Sequence, residues 1–150
     1  MTFYDLLIEK GKKEGIEKNV VGAIILNSRN EILILTRKTN DFMGGIDELP
    51  SGNMEKDETI YEALVREIKE ETNLDLKKVI SYINSFDYVS SSGKKARQFN
   101  FLVTVKSEDH IKLTEHDHYQ WLSIDDVRKN KRITDEVKDT LEIYCFNFLQ

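Results

Sequence analysis

The sequence predicts an α+β domain in which helices cover a mixed sheet. Three observations lead there. Ile60, Leu64 and Ile68 recur at every fourth position between Thr59 and Thr72, the spacing of one helix face. Segments elsewhere alternate with period two, as in Phe99, Phe101 and Val103. The resulting order is strands, helix, long hairpin, short strand, helix. A chain of 150 residues is long enough for one core burying roughly 70% of its unfolded surface.

The chain opens with an N-terminal extension, residues 1–18, where Phe3, Leu6 and Leu7 form a short apolar stripe. Gly11 and Gly15 interrupt the charged run behind it, so the segment reads as a partly helical flap. Residues 20–26 are almost continuously apolar, as in a central strand. Residues 27–30 are turn material and residues 31–36 return as a second strand, so the two read as a hairpin. Arg37, at the end of that strand, either meets substrate phosphate or stays solvated. It leads into a loop, 39–47, whose Phe42 and Gly44-Gly45 suit close approach to a ligand.

Beyond the helix, Ile80, Tyr82, Asn84, Phe86 and Tyr88 share one face of a long strand, residues 90–93 turn, and residues 94–105 return. These aromatics read as core or cross-strand pairs, although Tyr82, Phe86 and Tyr88 could also stack on a base. Residues 114–122 end in a short strand, and Ser123 caps a helical turn. From Ile133 onward, Val137, Leu141, Tyr144, Cys145 and Phe148 follow helical spacing.

Composition excludes several classes. The single Cys145 cannot form an intrachain disulfide, and in its apolar run it reads as buried and inert. His116 and His118 lack the companions of a zinc site and read as surface loop residues. No stretch approaches the ~20 apolar residues that span a bilayer, and no signal-peptide pattern opens the chain. The expectation is a cytoplasmic protein with no membrane partner. A net charge of −5 argues against an extended nucleic-acid surface but not against a small phosphorylated substrate. Oligomeric state is not written in the sequence; a homodimer is compatible with it.

Chemistry gathers in residues 52–74, GNMEKDETIYEALVREIKEETNL. On a helical wheel Glu67, Glu70 and Glu71 share an arc of about 100° at the border of the buried face, with the small Ala63 among them. Like charges three and four apart repel, and half-buried acids cost stability unless a cation neutralises them. Hard carboxylate oxygens suit Mg²⁺ or Mn²⁺. Arg66, on the adjoining face, can hold a carboxylate in place. The competing reading is a solvated, Glu-rich helix.

Spacing decides between the two. Five residues separate Gly52 from Glu58, and seven more lead to Arg66-Glu67. An aliphatic, one residue, and Glu70-Glu71 follow. This resembles the Nudix box and departs from it at one specified position, where Asn73 replaces the second glycine. Asn is the next most tolerant residue after Gly in the left-handed conformation that ends a helix. The resemblance is motif-deep for residues 48–74 and architectural for about 19–149. It implies an α/β/α sandwich and a single Nudix hydrolase domain over residues 1–150.

The resemblance also implies an activity. Such enzymes hydrolyse a pyrophosphate bond in a nucleoside diphosphate linked to another moiety, with Mg²⁺, or Mn²⁺ as substitute. A (d)NTP or related small nucleotide is expected first; a nucleotide sugar, ADP-ribose or a dinucleotide is the alternative. A catalytically silent nucleotide-binding module should have lost a box glutamate or the arginine, and this chain retains them. By the same resemblance Glu67, Glu70 and Glu71 are expected to ligate metal, with the backbone carbonyl of Ser51. Arg66 would orient Glu67, and Glu58 would stabilise the cluster through that arginine. The general base is Glu67 or a loop acid, Glu115 before Asp117. Arg37, Phe42 and Tyr88 are the expected substrate contacts.

Overall fold

Strand alternation sets the architecture of residues 1–149, the part described by the computed structural model. In β1 (Lys18–Ile25) and β6 (Lys95–Val105) the odd-numbered Val21, Ala23, Ile25, Phe99, Phe101 and Val103 enter one core. The even-numbered Ile24 and Leu102 enter a second core on the opposite side. Strand β2 (Ile32–Arg37) is divided the same way, Leu33 and Leu35 against Ile32 and Ile34. Helix α2 (Ile60–Thr72) closes the first core and α4 (Asp135–Phe148) the second. Each fully buried Leu, Ile or Phe contributes ~1.5–3 kcal/mol, so both faces are held firmly. The result is the expected α/β/α layering.

Strand β1 pairs parallel with β6 and antiparallel with β4 (Ser51–Asn53), while β5 (Leu76–Val89) borders β6. The order is β4-β1-β6-β5. A second, antiparallel sheet runs β3-β2-β7, with β3 at Asp47–Glu48 and β7 at His116–Leu122. The hairpin expected from residues 20–36 does not form. Its strands share one bridge, Leu26 to Ile32, and then enter different sheets. Both edges of β1 are already occupied, by β4 and β6, which leaves no edge for β2.

The single-face reading of β5 also fails. Register shifts interrupt its pairing with β6 three times, and each extra residue turns the following side chains over. Tyr82 therefore packs by Phe101 in the first core, whereas Ile83 and Phe86 pack in the second. Ile80 is largely exposed.

The extension folds as α1 (Phe3–Lys13), opened by a Thr2/Asp5 capping box. Its inward residues are Tyr4, Leu7 and Ile8; Phe3 and Leu6, expected in the stripe, are each half exposed. Gly11 lies buried within the helix, and the chain reverses at Gly15, whose φ is +84°. Arg97 ties the end of α1 to the sheet through Glu14 and Asp87.

Caps account for the other helix ends. Thr59 and Glu62 cap α2 reciprocally, Ser123 caps α3 (Ile124–Lys129), and Thr134 caps α4. Asn73 ends α2 at φ 68°, in the left-handed region expected of it. Cys145 is only half-buried, next to Arg128, because it sits at the border of α4 rather than on its inner stripe. Among the described residues no helix is long and apolar enough to cross a membrane.

Candidate active site

Glycine at position 52 brings helix and strand together. A Cβ there would overlap the carboxylate of Glu67, so only a bare backbone lets the acidic border of α2 lie against β4. Arg66 organises the acids around it. Its guanidinium donates twice to Glu58, at 2.7 and 2.8 Å, and to Glu67 at 2.7 Å, Glu70 at 3.2 Å and the Asn53 carbonyl at 2.9 Å. The bidentate bond to Glu58 holds the arginine's own pKa well above its usual range and that of Glu58 below it. Burial raises Glu67 above the ordinary carboxylate range, with Arg66 opposing.

Glu71 is placed differently. It is 4% exposed, and its carboxylate accepts a 2.7 Å hydrogen bond from the Ser51 N–H. Burial pushes its pKa up to about 9, and the charges of Glu67, Glu48 and Glu115 push the same way. Among the described residues no cation pairs with it. Nor do three Asp, Glu, His or Cys side chains there gather as a ready metal cage. Glu67 and Glu70 reach to Arg66 instead, and Glu70, more than half exposed, can turn away from it. The donor set still fits a hard divalent cation: carboxylates of both burial classes crowd one buried acid that needs positive charge.

Glu115 reaches this cluster because Thr114 donates to the Glu70 carbonyl at 3.0 Å and so ties its loop to the end of α2. Its charge is felt at both Glu67 and Glu71. Asp117 is exposed on β7.

His116 overturns its sequence reading. It is 7% exposed, and its Nε2 lies 2.9 Å from Glu48, whose same oxygen accepts from Arg37 Nε at 2.9 Å. His118 is exposed but meets the Thr36 hydroxyl at 3.2 Å. Glu48 is thus held between a cation and an imidazole at the margin of the acidic cluster. No local pattern signals this pairing, which depends on β2 and β7 lying side by side.

A cavity of about 250 Å³ opens beside Glu48 and Ser51. Arg37, Phe42 and Tyr88, the three expected substrate contacts, all line it. Arg37 is pinned there by Glu48 and the Phe42 carbonyl, so it is neither free in solvent nor extended as a lone cation. Gln98 lines the cavity too and went unread in the sequence. Its one signal is polarity: Gln98 and Asn100 interrupt an apolar strand on the same face.

Comparison with known proteins agrees with this geometry. The family profile described as a NUDIX domain matches residues 17–142. An RNA pyrophosphohydrolase from Campylobacter jejuni is 33% identical over 126 residues, covering 72% of this chain and 80% of that protein. An 8-oxo-dGDP phosphatase from Danio rerio is 33% identical over 102 residues, but the match spans only 30% of its length. The first curated relatives are all much longer than the segment they share with this chain, at 20–30% of their lengths. Among solved structures, a MutT protein from Methanosarcina mazei Go1 superposes with a TM-score of 0.78 at 26% identity, covering 90% of this chain and 98% of that one.

Proposed function

Because the chain belongs to the Nudix family, we propose that it hydrolyses a pyrophosphate bond in a small nucleotide, a (d)NTP or close relative, with Mg²⁺. The observation that carries this reading is Glu71: a carboxylate buried among the charges of Glu67, Glu48 and Glu115, whose one named partner is the neutral N–H of Ser51, a residue that lines the cavity. The relatives named above support it, since their names describe cleavage of nucleotide or RNA phosphates.

Glu67, Glu70 and Glu71, with the Ser51 carbonyl, would hold the ion. When bound it supplies Lewis-acid neutralisation of the phosphoryl oxygens. Arg66 orients Glu67 and Glu70, and Glu58 keeps Arg66 in place. Arg37 faces the phosphates at the cavity mouth, and Phe42 and Tyr88 flank the remainder of the nucleotide. Glu115 takes the proton of the attacking water as its oxygen bonds to phosphorus and the bridging P–O bond breaks. Glu67, already engaged by Arg66, acts as a ligand rather than the base.

The test is a panel of nucleoside triphosphates and diphosphate conjugates with Mg²⁺ or Mn²⁺, followed by phosphate and pyrophosphate release. Pyrophosphate from a (d)NTP is expected. Release only from a nucleotide sugar or ADP-ribose would replace the substrate class, and silence across the panel would overturn the hydrolase.

A further inference from the structure

The cavity ends in a row of buried amides that the reaction chemistry does not use. Gln98, 7% exposed, forms part of its wall and donates from Nε2 to Asn100 Oδ1 at 2.8 Å. Asn100, fully buried, donates onward from Nδ2 to Asn84 Oδ1 at 3.1 Å. The hydroxyl of Thr140, on α4, reaches the same Asn84 oxygen at 3.0 Å. Gln98 and Asn100 pass their amide donors inward from the cavity, and Asn84 Oδ1 accepts from both Asn100 and Thr140. The group left at the cavity end is the carbonyl oxygen of Gln98.

The backbone makes room for this row. Gly22 lies opposite Asn100 in the parallel β1–β6 register, and a Cβ there would overlap both Asn100 Oδ1 and Gln98 Nε2. Directly across the antiparallel register from Gln98 stands Phe86, whose ring lies 6.2 Å from that of Tyr88. Both aromatics line the same cavity. An aromatic wall beside an oriented hydrogen-bond acceptor recognises a flat heterocycle by its face and its edge together.

We propose that Gln98 is a specificity-determining residue: its Oε1, oriented by Asn100, Asn84 and Thr140, accepts a hydrogen bond from a ring N–H or exocyclic amino group of the nucleotide base. This rests on the cavity being the substrate site, and it deepens that reading by stating what the base must carry. A polar wall built to pair with an N–H rejects a ring lacking one, because the acceptor is then buried unsatisfied.

The experiment compares kcat/KM for ATP, GTP, CTP and UTP with that for purine riboside triphosphate, whose ring has no N–H donor. The wild-type protein is expected to favour at least one donor-bearing base by about tenfold to a hundredfold. Gln98→Met, close in shape but without the amide, removes that preference mainly through KM, while Gln98→Glu, which keeps an acceptor, retains it. Thr140→Val, which frees the amides to turn, and Gly22→Ala, whose Cβ pushes them aside, weaken the preference although neither residue reaches the substrate. Equal use of purine riboside triphosphate by the wild type, or a preference that survives in Gln98→Met, overturns the role of Gln98 while turnover itself stands. No turnover of any triphosphate or diphosphate conjugate removes the substrate reading, and this proposal with it.

Discussion

Two buried carboxylates, Asp47 and Glu71, are treated in opposite ways by the same fold. They are 1% and 4% exposed. Asp47 receives the Thr36 hydroxyl, the Asn130 amide at 2.8 Å and the Arg132 guanidinium at 3.1 Å. Burial would raise its pKa, but these donors outweigh burial and hold it below the ordinary range. Glu71 has the Ser51 N–H and three neighbouring acids, and its pKa rises to about 9. Asp47 is satisfied and joins β3 to the loop before α4; Glu71 is left wanting positive charge. A fold that can satisfy one buried acid so fully leaves the other unsatisfied, at the position where the proposed reaction would use a cation.

The largest effect expected is at Glu71. Glu71→Gln should lower Mg²⁺-dependent kcat/KM by ~10³-fold or more, since Lewis-acid stabilisation supplies several kcal/mol and each 1.36 kcal/mol is tenfold. The same variant should melt higher than wild type in EDTA at pH 8, because folding no longer requires a carboxyl that is ionised in the unfolded chain to take up a proton on burial. A variant that keeps full turnover would place the metal elsewhere.

Asp47→Ala should do the reverse. Loss of its partners is expected to cost about 2–4 kcal/mol in urea unfolding, while kcat/KM of the folded protein changes by less than about tenfold. An unchanged urea midpoint would remove Asp47 from the stabilising side of the comparison.

Arg66→Lys comes next. A lysine keeps one charge but cannot hold Glu58 with two parallel bonds and still reach Glu67 and Glu70. Metal affinity or turnover should fall by about tenfold to a hundredfold, as for other groups that orient ligands. Isothermal titration with Mn²⁺, alongside kinetics, separates the two.

The smallest and most diagnostic effect is in pH dependence. For Glu71 the folded pKa lies above the unfolded value, so its contribution is fully present below about pH 4.5 and is lost as pH rises toward 9. For Asp47 the folded pKa is depressed, so its contribution is present above the unfolded value and lost as pH falls through the folded one. Melting of the EDTA-treated protein should therefore weaken at both limits. Glu71→Gln should flatten the alkaline side and Asp47→Asn the acid side, and Mg²⁺ should restore stability more at pH 8 than at pH 5. Matching slopes in all three proteins would show that these two acids do not set the profile.

Much of this was readable residue by residue. Helix α2 and the left-handed Asn73 follow from spacing and local propensity, and so does the closeness of Glu67, Glu70 and Glu71 on one border. The cradle of Arg66 was expected in direction, but its double bond to Glu58 required the chain at residues 53–58 to fold back onto the helix. The hairpin and the single-face strand were misread for a related reason. Strand partners and bulges are set by which edges remain open, and a one-residue shift exchanges faces without leaving a mark in composition.

What residue order determined by itself is the helix with its acidic border, because neighbours three and four apart meet wherever a helix forms. Only the tertiary structure decided which acids stay unsatisfied, that His116 grips Glu48, and that Gln98 lines a cavity while its amide donates to Asn100. Those outcomes depend on residues up to 68 positions apart in the chain, such as Glu48 and His116, being brought into hydrogen-bond contact. Packing of sheets and helices makes such contacts, and no local pattern encodes them.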